Sequence, residues 1–193
     1  WESLVAHAKA DAKVILLDQA SDGFKQIQSA LNGLTNLEAI HIVSHGREGT
    51  LLLGSIGLTV GNLAHHQSAL TAIGRSLAKK GDLLLYGCNI AEGDAGVRFV
   101  QRIAAQTGAD VAASVDSVGA GNWTLDFAAG RIEADRFLSD AGVAAYAHSL
   151  GTVVLTGKSG WTAVMFGATQ DPQGDSQAQA ADTDIVGDAS HGS

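Results

Sequence analysis

Two apolar runs constrain this chain more than anything else in it. Ala39–Ser44 (AIHIVS) stops at His45-Gly46, and Leu83–Tyr86 (LLLY) stops at Gly87-Cys88. A continuous apolar run bounded by glycine and polar residues fits a strand of a parallel sheet that is covered on both faces. Catalytic groups of open α/β sheets gather at the carboxyl ends of such strands. If the two strands lie side by side, an imidazole and the protein's one thiol reach the same edge. A cysteine nucleophile and its histidine base require that arrangement.

The flanking pattern supports an α/β reading. Ala12–Leu17 reads as a strand closed by Asp18, and Ser21-Asp22-Gly23 offers a helix cap. Phe24, Ile27, Leu31 and Leu34 then recur at helical spacing. With the strand that delivers His45, this is a β-α-β unit, which predicts a parallel pair joined by a right-handed crossover. After His45 the sequence predicts a small hairpin over Thr50–Leu53 and Gly57–Thr59, then a helix over Val60–Lys80 broken by Gly81-Asp82. Beyond Cys88, Val97, Val100, Ile103 and Ala104 place a helix over Asp94–Thr107 with Gly108 as its cap. Ala109–Ser114 is one more strand. Trp123–Phe127 and Arg131–Ala134 are expected to form a hairpin, and Ser139–Leu150 a joint. Past it, Thr152–Thr156 and Trp161–Phe166 are β-like, and an Asp-rich stretch runs from Asp171 to Asp188.

Composition narrows the function. The 193 residues are 46% hydrophobic, enough for one domain with a core of Leu, Val, Ile and Ala. A net charge of −8 argues against a nucleic-acid partner, which would need a basic face. No run approaches the roughly 18 to 20 apolar residues of a membrane span, so no membrane insertion is expected. One cysteine excludes an internal disulfide. The chain opens on Trp1-Glu2-Ser3 without an initiator methionine or a leader, as a piece of a longer polypeptide would.

At the reaction centre the residues take definite roles. Cys88 is the candidate nucleophile and His45 the candidate base. Gly46 lets its own N–H approach a bound carbonyl, so the N–H groups of Gly46 and Cys88 are the candidate oxyanion donors. Gly87 relieves crowding at the bend that would expose the sulfur, and is also a candidate substrate-binding position. A lone cysteine is more often a buried apolar residue, and a histidine at a strand end more often a core residue. What favours chemistry is that both follow the same kind of apolar block and both abut glycine. Asp116 is a candidate for lining a substrate pocket that selects a basic side chain; a solvated turn role suits it as well. Trp123 is a candidate pocket wall, though core is the favoured reading. His41 shares a strand face with His45.

No metal site is expected at the reaction centre. His65-His66 lacks a third ligand at suitable spacing. Calcium, as a structural or regulatory ion, is the cation that the Asp-rich tail would suit, although Asp182, Asp184 and Asp188 do not complete an EF-hand loop.

An apolar block ending in His-Gly, with a second one ending in Cys, resembles the caspase–gingipain–legumain superfamily of cysteine peptidases. More closely, HIVSHGREGTLLLGS, DLLLYGCNIAEGDAGVRFVQRIAAQTGADVAAS and GNWTLD resemble DUF4347, a domain near the N-termini of very large bacterial adhesin-like surface proteins. The resemblance implies an α/β, caspase-like three-layer sandwich with a mostly parallel sheet, and His45 and Cys88 as its dyad. It implies a peptidase domain over residues 1–149, with residues 150–193 a linker or the start of a further β-rich module outside the peptidase fold. A first strand that this family carries before the equivalent of Trp1 is expected to be missing. The implied activity is a cysteine endopeptidase, self-processing or acting on neighbouring surface proteins, secreted or at the bacterial cell surface, with a peptide or protein substrate and no cofactor needed for catalysis. The rival expectation is a non-catalytic module that keeps the fold for adhesion or assembly. A serine hydrolase is poorly supported, because no Gly-x-Ser-x-Gly elbow occurs.

Overall fold

The computed structural model describes residues 2–10 and 12–150, and the backbone of Thr162–Phe166. Helix α1 (Glu2–Ala6) leads to β1 (Lys13–Leu17), α2 (Gly23–Leu31) and β2 (Leu37–Val43). Next comes a small three-stranded sheet, built from β3 (Gly46–Arg47), β4 (Thr50–Leu53) and β5 (Ile56–Thr59). A 3-10 turn over Leu63–His66 runs into α3 (Gln67–Ser76), then β6 (Leu77–Tyr86), α4 (Gly93–Thr107), β7 (Asp110–Ala113), β8 (Phe127–Ala129), α5 (Asp140–Ala145) and β9 (Thr162–Phe166).

The large sheet has the order β1-β9-β2-β6-β7-β8. Strands β2, β6 and β7 pair in parallel, so the two apolar runs do lie side by side, with Ile40 against Leu83, Ile42 against Leu85 and Val43 against Tyr86. Alternation along them divides the core. Ile40, Ile42, Leu83, Leu85, Val111 and Ala113 pack with Phe24 and Ile27 of α2, Leu70 and Ile73 of α3, and Phe99, Val100 and Ile103 of α4. Ala39, Val43, Leu84 and Tyr86 face the other way, against Leu4, Trp123, Phe137, Leu138 and Tyr146. The result is a mixed α/β fold, a largely parallel sheet covered on both faces, compatible with a three-layer sandwich. Among the described residues no helix is long and apolar enough to cross a membrane.

Three expectations are corrected. Strands β1 and β2 run in the same direction but do not pair: β9 stands between them, antiparallel to both. Without β9 both would present unpaired backbone N–H and C=O groups along an edge, which burial penalises. A strand assigned from sequence to a segment outside the fold is therefore part of this sheet. Second, the helix expected to reach Lys80 ends at Ser76. Leu77 is extended (ψ 150°), buried, and paired with Leu37 at the start of β6, while the next register pair joins Ala39 to Asp82. The intervening residues bulge out, with Gly81 packed on the Leu37 carbonyl. Third, Trp123–Phe127 and Arg131–Ala134 form no hairpin: only Phe127–Ala129 is a strand, and it pairs with β7 at the sheet edge. Helix α4 and its left-handed Gly108 cap (φ 73°) stand where the sequence placed them. The expected strand Thr152–Thr156 and the Asp-rich tail lie outside the described residues.

Candidate active site

Parallel pairing of β2 with β6 continues one step past the strands, through a bond from the Ser44 N–H to the Tyr86 carbonyl (2.8 Å). His45-Gly46 and Gly87-Cys88 therefore leave the sheet next to each other. The approach is close enough to demand glycine: a Cβ on Gly46 would sit 2.9 Å from the Cys88 carbonyl oxygen and 2.6 Å from Ile90 Cγ1. One on Gly87 would sit 3.2 Å from the Ser44 oxygen and 2.7 Å from Ile90 Cδ1. Backbone packing at the site thus requires glycine at 46, while at Gly87 the Ser44 oxygen and Ile90 leave little room for a side chain.

The turn that carries the thiol is clamped. Asn89 adopts a left-handed conformation (φ 61°), which asparagine tolerates better than most side chains. Its N–H donates to the Asp116 carbonyl (2.8 Å), and the Ala91 N–H donates to the Ser114 carbonyl (2.9 Å). Ser114 is fully buried; its hydroxyl donates to the Asp116 carbonyl and accepts from the Asp116 N–H. The loop after β7 is in this way bolted to the loop after β6.

Contrary to the expectation of a bend that exposes the sulfur, Cys88 is 1% exposed, because it packs into the core on that face of the sheet. The Val118 N–H donates to Sγ at 3.3 Å, and Ser149 Oγ lies 3.5 Å from Sγ. Tyr146 is close enough that its phenol is pushed up, first by burial and then by the charge a Cys88 thiolate would carry. His45 is half-buried, and its carbonyl accepts the Leu52 N–H (3.1 Å), tying this turn to the small sheet.

A stretch of the chain's own backbone runs beside the thiol, with the Ser149 hydroxyl against the sulfur. The Ala120 N–H donates to the His148 carbonyl and the Leu150 N–H to the Val118 carbonyl, both at 2.8 Å, and Ser149 bridges Gly119 in antiparallel fashion. His148–Leu150 is thus an extended strap paired with the loop that holds Sγ. Gly119 (φ +102°) permits this, because any side chain there would collide with the His148 oxygen. Leu150 anchors the strap in the core at 1% exposure. The sequence predicts only a joint here, and its one hint of docking is the apolar Leu150 after polar residues.

The remaining candidates separate. The Asp116 side chain is exposed and makes no hydrogen bond or ion pair among the described residues; what holds the site is its backbone. Trp123 is core, 6% exposed, with ring centroids 6.0 Å from Tyr86, 5.7 Å from Phe137 and 5.4 Å from Tyr146. His41 is buried against Tyr86 and Phe137. His66 stacks on Phe24 at 4.5 Å.

A family model described as a domain of unknown function, DUF4347, matches residues 1–150. The chain belongs to the DUF4347 family. The match ends at Leu150, so both halves of the candidate dyad and the strap lie within the DUF4347 region. No curated protein and no solved structure matches the chain.

Proposed function

We propose that this DUF4347 domain is a cysteine endopeptidase of the caspase–gingipain–legumain type that acts on its own polypeptide. The supporting observation is the strap. A segment that pairs antiparallel with the loop holding Sγ, and sets its Ser149 hydroxyl 3.5 Å from the sulfur, resembles the way a peptidase presents a peptide to its nucleophile. In this mechanism His45 takes the thiol proton and Sγ attacks the carbonyl carbon of the bound peptide. The Gly46 and Cys88 N–H groups hold the oxyanion of the tetrahedral intermediate. Protonated His45 then gives its proton to the leaving amine, and water hydrolyses the thioester with His45 again as base. No cofactor enters these steps. By its family resemblance the domain would work in a secreted bacterial surface protein, where cutting its own chain releases or matures the neighbouring modules.

The burial of Cys88 favours a second reading, a non-catalytic module in which the thiol is a core residue and the strap a permanent part of the wall. Intact mass over time separates the two. Wild type and Cys88→Ala are incubated side by side, with and without calcium. New fragments from wild type alone support the peptidase. Uncut chains under every condition, together with a Cys88 inert to a thiol-directed peptidyl electrophile, support the module.

A further inference from the structure

At the opposite end of the paired strands from the turn that carries Cys88, three carboxylates converge. Asp82 opens the regular ladder of β6 and pairs with Asp110, the first residue of β7. Glu133 reaches the same place from the segment after β8. One carboxylate oxygen from each of the three lies within 4.8 Å of the others. Among the described residues this is the one such group of three.

Proximity of acidic groups alone says little, but Asp82 adds an independent fact. It is 0% exposed, and its Oδ2 accepts the N–H groups of Glu133 (2.8 Å) and Ala134 (2.7 Å). Its Oδ1 is buried with no hydrogen-bond partner among the described residues. A buried polar atom without a partner is costly and calls for an explanation such as an ion. Burial pushes the Asp82 carboxyl up, and the charges of Glu133 and Asp110 push the same way against the two N–H groups. The cation nearest at hand is weak compensation: Arg131 Nε sits 3.5 Å from Glu133 Oε1, with the arginine side chain 87% exposed.

We propose that Asp82, Asp110 and Glu133 form a divalent-cation site fitted to calcium. An ion at the usual 2.3 to 2.6 Å from each oxygen spans a pair of oxygens up to roughly 5 Å apart, and the three oxygens here lie within 4.8 Å of one another. All the donors are hard oxygens with no imidazole or thiolate, which suits calcium and disfavours zinc. Asp110 is half-buried and Glu133 exposed, so one side remains for water ligands. Bound there, calcium ties β6, β7 and the 131–134 segment together. That segment leads directly into Phe137 and Leu138, which pack in the same cluster as Cys88. The proposal stands apart from the peptidase reading and survives its failure.

The test uses the whole 193-residue chain, stripped with a chelator and titrated with calcium chloride, with calorimetry and thermal unfolding as readouts. Binding on the order of 10⁻⁴ to 10⁻³ M is expected, as in extracellular calcium modules, with a rise of several degrees in Tm at saturation. Magnesium at equal concentration is expected to do less. Asp110→Asn and Glu133→Gln, each lacking one charge, are expected to weaken binding by about tenfold or more. In chelator, both are expected to melt no lower than wild type, because they relieve repulsion. Should Asp110→Asn fail to fold, Glu133→Gln at its exposed position carries the comparison. Absence of any calcium response at 10⁻² M, or a response that both variants keep in full, overturns the site. The second result assigns the ion to other carboxylates of the chain.

Discussion

Ser149 lies on Cys88, its Oγ 3.5 Å from the sulfur, in a strap that pairs with the backbone at Val118 and Ala120. The nucleophile of the proposed reaction therefore has a residue of its own chain against it. A permanent wall and a presented peptide share this geometry, and the behaviour of the strap decides between them.

Loosening the strap should uncover the thiol. Gly119→Ala places a methyl group into the His148 oxygen and forces an L side chain to φ +102°, a conformation that costs on the order of 1 to 3 kcal/mol. The rate at which a small disulfide reagent labels Cys88 should rise by about tenfold or more. An unchanged rate would mean that the thiol is closed off by the core rather than by the strap.

At Gly46 the cost should fall on the fold and on the site together. A methyl group there meets the Cys88 carbonyl and Ile90 with little room to give. Gly46→Ala should lose about 1 to 3 kcal/mol in chemical denaturation, as overpacked sites do. Gly61→Ala is the control: its nearest neighbour would be Thr59 Oγ1 at 3.8 Å, and its midpoint should stay close to wild type.

Ser114→Ala removes the hydroxyl that bridges the Asp116 N–H and carbonyl. The loop that holds Asn89 and donates to Cys88 Sγ should then open more often. A loss of roughly 1 to 2 kcal/mol is expected, with faster amide exchange at Asn89 and Val118 while α4 keeps its protection. Uniform protection throughout would show that the loop does not depend on this hydroxyl.

Alkaline stability should carry the mark of Tyr86. Burial raises its phenol pKa well above the ordinary value, with Arg136 opposing. The folded chain holds that proton more tightly than the unfolded chain does. Its contribution is therefore complete below about pH 10 and is lost as pH rises above that. Burial pushes Tyr146 the same way. Denaturation midpoints from pH 8 to 11 should fall less steeply for Tyr86→Phe than for wild type. Parallel curves would refute the assignment.

Local pattern alone determined a good deal of this protein. Mostly apolar runs at 39–44 and 83–86 demanded buried parallel strands, since both their faces must leave water. Helical spacing with a glycine stop defined α4 to its last residue, because capping is a property of a few adjacent residues. Together these placed His45 and Cys88 at strand ends, and the observed pairing sets their backbones side by side. Where burial competed with periodicity, local reading failed: Leu77 continues a helical stripe yet is drawn into β6 by its pairing with Leu37.

Only the tertiary structure decided the rest. Strand β9 fills a gap between β1 and β2 that nothing near it in sequence announces. The strap docks because Gly119 admits it and Leu150 has a core to enter. Asp82 reads locally as a helix breaker, and it becomes a buried carboxylate beside Asp110 and Glu133 only when distant segments meet. Periodicity encodes which face of an element avoids water. Which partner covers that face is chosen by long-range packing and by the need to pair every buried backbone group, and no short stretch of sequence contains that choice.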